Sequence, residues 1–231
     1  MGRMILSRPR WSGTRRTSPL CAFLARSPTG FLGVLRAPGS LSVPCLFSAD
    51  VLKNIIREYR NAYSEIVRRA DRTLQEVFGL QLVEIDTKRH IYILINNLPR
   101  AEGQHLCRGK EKEKMALLLV ILSFIFMKGN SVKDSALWEF LHLLRVHPGK
   151  QHGVFGDVRK LVTEEFVRQK YLEITPIPLT DPPEFKYQWG PRAEKETSKK
   201  DVLNFVAKMQ GKDPTFWASQ YSEAEADNTT T

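Results

Sequence analysis

The apolar positions of the chain change their period several times, and each change marks an element. Val51, Leu52, Ile55, Ile56 and Tyr59 recur at three- and four-residue spacing, which predicts a helix over Ala49–Tyr59 capped by Ser48 or Asp50. The same spacing returns in Ile66, Val67, Ala70, Leu74, Val77 and Phe78, and predicts a second helix over Ser64–Val77. Gly79 stands where such a helix commonly ends in a left-handed residue. Then the period shortens. Leu80–Ile85 and His90–Ile95 are apolar runs on either side of the polar turn Asp86-Thr87-Lys88-Arg89, which predicts a β-hairpin.

Residues 99–114 are polar and aperiodic, and read as a linker. Lys114–Met127 is apolar almost all round, the pattern of a helix buried at the centre of its unit. Gly129 ends it. A helix is predicted from Ser131, with Asp134 completing an imperfect capping box and Leu137, Phe140, Leu141 and Leu144 on its inner face. Pro148 and Gly149 break the chain. Asp157–Gln169 predicts a helix with Leu161, Val162, Phe166 and Val167 inward. Tyr171–Ile174 and Glu184–Trp189 are short β segments joined by a proline-rich loop, and helices over Ser198–Met209 and Pro214–Ala224 close the chain.

Helices followed by a two-stranded hairpin thus occur twice. Small helices plus a hairpin wing is the winged-helix plan. The expected fold is mainly α with small β hairpins: tandem winged-helix units, the first truncated by one helix. The expected organisation is a disordered basic leader over 1–48, a first winged helix over 49–98, the linker over 99–114, and a second winged helix with C-terminal helices over 115–227.

Charge sharpens this division. The formal charge is +10, but seven arginines and no acid lie in residues 1–48, so the body has 28 basic residues against 25 acidic ones. A nearly balanced body does not point to nucleic acid by charge alone. The leader is rich in Arg, Pro, Ser and Gly, and five prolines (Pro9, Pro19, Pro28, Pro38, Pro44) break any long helix in it. That is the composition of a mitochondrial presequence, with an inert leader as the alternative.

Several chemistries are excluded. Three widely spaced cysteines (Cys21, Cys45, Cys107) give neither a disulfide framework nor a zinc pattern. The longest apolar run, Met115–Met127, is too short for a membrane span of about 20 residues. His90, His105, His142, His147 and His152 lack metal spacing. Gly149, Gly153 and Gly156 form no phosphate-binding frame, and Glu164 and Glu165 are adjacent on a helix and do not share a face. No catalytic, metal or cofactor site is expected.

DNA contact remains open. Lys53, Arg57 and Arg60 recur on the first helix, Arg68, Arg69 and Arg72 cluster on the second, in the recognition position, and Lys88 and Arg89 sit at the wing tip. Such cations suit non-specific phosphate contact. Glu58, Glu65, Asp71 and Glu76 partly neutralise the same helices, so the arginines also read as a solvated face.

Longer phrases carry a resemblance. VFGLQLVEID and YILIN (within Val77–Asn96), LLLVILSFIFMKGN (Leu117–Asn130), WEFLHLLRV (Trp138–Val146), VFGDVRKLVTEEFVRQKYLE (Val154–Glu173), FKYQWGPRAEKETSKKDVLNFVAK (Phe185–Lys208) and DPTFWASQYSEAEAD (Asp213–Asp227) resemble the MAGE homology domain, itself a tandem of winged-helix units. Within that family the likeness is to the branch that serves an SMC-type DNA-repair complex. The resemblance implies a nuclear, non-catalytic scaffold. One winged helix would hold a RING-type ubiquitin ligase and stimulate it, and the other would grip a kleisin-type subunit. The family's RING-docking leucine pair has no Leu-Leu counterpart in residues 1–48. For the kleisin, an apolar helix received in a groove is the expected mode, with Phe140, Leu144, Phe166, Tyr171, Trp189, Leu203 and Phe205 as candidate lining.

Overall fold

The computed structural model describes residues 46–47, 61–96 and 109–228. The predicted helix over Ala49–Tyr59 and the candidates Lys53, Arg57 and Arg60 lie outside the described residues.

The first unit comprises β1 (Leu46–Phe47), α1 (Tyr63–Phe78), β2 (Leu80–Asp86) and β3 (Ile91–Asn96). Helix α1 forms over the predicted span and stops at Gly79, whose φ of 63° places it in the left-handed region, but none of its side chains is buried and Val77 and Phe78 of the stripe are exposed. Strands β2 and β3 pair antiparallel, and β1 adds to the free edge of β3 with Phe47 opposite Ile91. The expected leader over 1–48 is corrected at its end, because Leu46 and Phe47 are part of this sheet. Ile91, Ile93 and Ile95 share one strand face and form a small core with Val83 and Ile85.

The second unit is larger. It runs through α2 (Gly109–Met127), β4 (Ser131–Lys133), α3 (Asp134–Leu143), β5 (Gln151–His152) and β6 (Gly156–Asp157). A helix follows in three parts: α4 (Val158–Lys160), a π-helical turn (Leu161–Glu165) and α5 (Phe166–Arg168). Then come β7 (Leu172–Ile177), β8 (Glu184–Trp189), α6 (Pro191–Glu196), α7 (Lys199–Gln210), a single 3-10 turn (Pro214–Phe216) and α8 (Ala218–Asn228).

Helix α2 lies at the centre. Leu117, Leu118, Ile121, Leu122, Ile125 and Phe126 are all fully buried, as an all-round apolar helix requires. Each such side chain contributes roughly 1.5–3 kcal/mol of burial. Its one buried hydroxyl, Ser123, donates back to the Leu119 carbonyl at 2.7 Å and so leaves no orphan. The linker over 99–114 is corrected here too, since helix α2 begins at Gly109.

Both three-stranded sheets have the same plan. The first is ordered β1-β3-β2 and the second β4-β8-β7, so in each a short leading strand pairs with the return strand of the hairpin. This repeat makes the fold a tandem of winged helices. It also explains why Ser131 does not start a helix. Ser131–Lys133 is the leading strand, paired with Lys186–Gln188 of β8, and α3 begins only at Asp134.

Candidate functional site

The predicted basic surface of the first unit is partly neutralised. Arg68 and Arg69 both bind the Glu65 carboxylate, with closest contacts of 2.8 and 2.6 Å. Hydrogen bonds from Arg69 and Arg68 hold that carboxyl below its ordinary value. Arg72 is exposed on the same helix. Lys88 and Arg89 lie in the wing turn, where their backbone N–H groups donate to Asp86 Oδ1 at 3.0 Å, and Lys88 lines a 360 Å³ cleft between this wing and the Trp189–Glu194 segment. Burial raises the Glu194 carboxyl in that cleft. His90 closes the wing base by a 2.6 Å contact from Nδ1 to Glu84.

The aromatic candidates of the second unit divide into two groups. Phe166, Tyr171, Trp189 and Leu203 are core residues, between 0% and 8% exposed, and this corrects their assignment to a groove. Trp189 sends its indole N–H inward to the Leu122 carbonyl at 2.9 Å, a tie from β8 to the centre of α2. Phe140, Leu144 and Phe205 are half-buried against the same core. Phe140 stacks flat on Phe124 with centroids 4.0 Å apart, so its ring already has a partner within the unit.

Sequence reasoning missed a different surface. The helix α4–α5 occupies in the second unit the place that α1 holds in the first, just ahead of the hairpin. Asp157 caps it by accepting from the Lys160 N–H at 3.2 Å. Its outer side presents Arg159, Lys160 and Arg168, all exposed and, among the described residues, in no ion pair. Lys160 and Arg168 border a groove of about 650 Å³ between this helix, the β5–β6 ribbon and Lys114 of α2. Lys114 spans both Glu165 oxygens at 2.9 and 3.0 Å, so Glu165 is a fixed anchor, and no acid/base couple with Glu164 results. The signal was available, since Arg159, Lys160 and Arg168 stand on the outer face of a predicted helix whose inner face the periodicity identifies.

Among the described residues no group of three or more His, Cys, Asp or Glu side chains converges as metal ligands. His142 and His147 do meet, with ring centroids 4.5 Å apart. His152 accepts at Nδ1 from the Val154 and Phe155 N–H groups at 3.2 and 3.3 Å, a structural use of its lone pair. No helix among the described residues is long and apolar enough to cross a membrane.

Comparison with known proteins decides the family. The model of the MAGE homology domain matches residues 46–200. The chain belongs to the MAGE homology domain family. The human non-structural maintenance of chromosomes element 3 homolog is 48% identical over 180 residues, which is 78% of this chain and 59% of that protein. Human melanoma-associated antigen D2 is 49% identical over 180 residues, 30% of its length. The chain therefore spans about a third to three fifths of these curated relatives. A chain of the solved Nse1-Nse3-Nse4 complex is 54% identical with a TM-score of 0.75, covering 79% of this chain and 88% of that one. The MAGE match starts at Leu46, the first residue of β1.

Proposed function

We propose that this MAGE chain is a non-catalytic scaffold subunit of a nuclear SMC-type complex for DNA repair and chromosome maintenance. It holds a kleisin-type subunit with its second winged helix and a RING-type ubiquitin ligase with its first, and stimulates ubiquitin transfer by that ligase. The observation that carries this reading is the likeness to a chain of the Nse1-Nse3-Nse4 complex, 54% identical over 88% of that chain. Co-expression of the full chain with a kleisin-type and a RING-type subunit, followed by purification on a tag carried by this chain, tests it. Recovery of both partners is the expected result, and recovery of neither overturns it.

A second reading is a winged-helix regulator that contacts DNA. The free cations Arg159, Lys160 and Arg168 on the helix ahead of the second wing favour it. They favour contact through the second unit over the Glu65-paired arginines of α1. With no base-reading set of side chains in view, the contact is to phosphate and non-specific.

A further inference from the structure

Helix α8 is attached to the second unit chiefly by charge. Between Ala218 and Asp227 one apolar side chain, Ala224, is fully buried. The polar ties are numerous. Lys199 Nζ reaches Glu223 Oε1 at 2.5 Å and Asp227 Oδ2 at 3.0 Å, and Lys200 Nζ reaches Glu225 Oε1 at 2.7 Å. Asn130 Nδ2 donates to the same Glu223 oxygen at 2.7 Å, and Gln220 Nε2 to the Met127 carbonyl at 3.4 Å.

The helix is ill suited to stand alone. Its carboxylates occupy the C-terminal half, against the helix dipole, and no basic residue balances its last turn. Eleven residues are also fewer than the roughly 12–15 that hold a helix in water. The lysines supply what is lacking. Desolvation pulls the Lys199 ammonium down, but its hydrogen bonds to Glu223 and Asp227 outweigh this and hold it above its ordinary value. Beneath the pair, Lys199 Nζ stands 6.0 Å from the Phe126 ring, so the seat has an apolar floor.

The geometry points to an exchangeable strap: α8 is an acidic helix seated in cis on Lys199, Lys200 and Asn130, and the same seat takes an acidic helix from a partner protein in its place. The occupant is defined by α8 itself, a helix with carboxylates at positions i, i+2 and i+4 like Glu223, Glu225 and Asp227. Exchange is cheap in apolar burial, because Ala224 is the one apolar side chain of α8 that is fully buried. The strap stands independently of the scaffold reading.

Hydrogen exchange on the full chain tests the strap. Raising NaCl from about 0.05 to 0.5 M shortens the screening length severalfold. Amide protection over 218–228 then falls at least about tenfold while α2 and α7 are unchanged, as expected for a locally opening unit. The triple variant Glu223→Gln, Glu225→Gln, Asp227→Asn is open at both salts. A fluorescein-labelled peptide of residues 214–228 binds that variant at low salt and not the parent chain, and binding is abolished when Lys199→Gln and Lys200→Gln are added. Salt-independent protection of α8 at the level of α7 overturns the strap. A peptide that ignores the opened variant overturns the seat.

Discussion

Arg192 Nε donates to Glu196 Oε1 at 2.8 Å, one turn apart on α6, and both side chains are enclosed in the core. Tyr171 donates its hydroxyl to the other Glu196 oxygen at 2.7 Å, and the Arg192 guanidinium lies 4.6 Å from the centre of the Tyr171 ring. The pair thus joins α6 to the chain entering β7, and both ends of the second wing meet at this point. A buried pair is hard to break on one side only. Glu196→Ala is expected to lose about 3–5 kcal/mol by urea unfolding, because the buried guanidinium loses the carboxylate that neutralises it. Replacing the whole cluster (Arg192→Met, Glu196→Leu, Tyr171→Phe) recovers most of that loss. A single variant of unchanged stability would contradict the buried pair.

Gly190 precedes Pro191, with the Lys170 carbonyl pressed against it. A Cβ at Gly190 would lie 2.3 Å from that oxygen, which itself accepts from the Arg192 N–H at 3.0 Å. Gly190→Ala therefore separates the wing from α6 and costs on the order of 3 kcal/mol. Gly153→Ala, with no atom in reach of the new methyl, is the matched control and leaves the unfolding midpoint in place.

Much of the fold is legible in the sequence, and what is not has a physical cause. The span of α1, the Gly79 stop and the all-round apolar α2 are local patterns, and local patterns survive translation into structure. Strand β4 is three residues long and exists only because Val132 pairs with Tyr187, fifty-five positions away. Helix α6 escapes a sequence reading because Arg192 and Glu196 look like surface residues, whereas their pairing buries them. The groove residues fail for a related reason. Aromatic content cannot tell an outward ring from an inward one, and Phe166 and Tyr171 are inward. At the basic face the sequence already names Glu65 among the neutralising acids, and the geometry adds that it takes both Arg68 and Arg69.

His147 titrates below a free histidine. Desolvation is the largest cause, followed by the charges of His142, Lys150 and His152. The sign follows from linkage: as pH falls, the unfolded chain takes up its proton at the ordinary value of 6.5 before the folded one does. The stabilising contribution is complete above that value and is lost as pH drops from it to the lowered folded value. Proton NMR should give His147 a midpoint under that of the unfolded chain, and His142→Gln should move it upward. A midpoint at or above the ordinary value would contradict the cause assigned.

DNA contact, where it occurs, should belong to the second unit. Lys160→Glu with Arg168→Glu is expected to weaken binding to duplex of any sequence. The same double change lowers the log–log salt slope by about 0.9 for each phosphate that is no longer neutralised. Arg69→Glu, which alters a cation already held by Glu65, leaves both nearly unchanged. The reverse ranking would return the contact to α1.

The scaffold reading meets its most direct test in solution. The full chain is mixed at micromolar concentration with a purified kleisin-type subunit and a RING-type ligase of the Nse1-Nse3-Nse4 kind, and the masses of the species formed are determined by light scattering. A single assembly with one copy of each subunit is the predicted result. A folded chain that remains monomeric in the presence of both partners would contradict it.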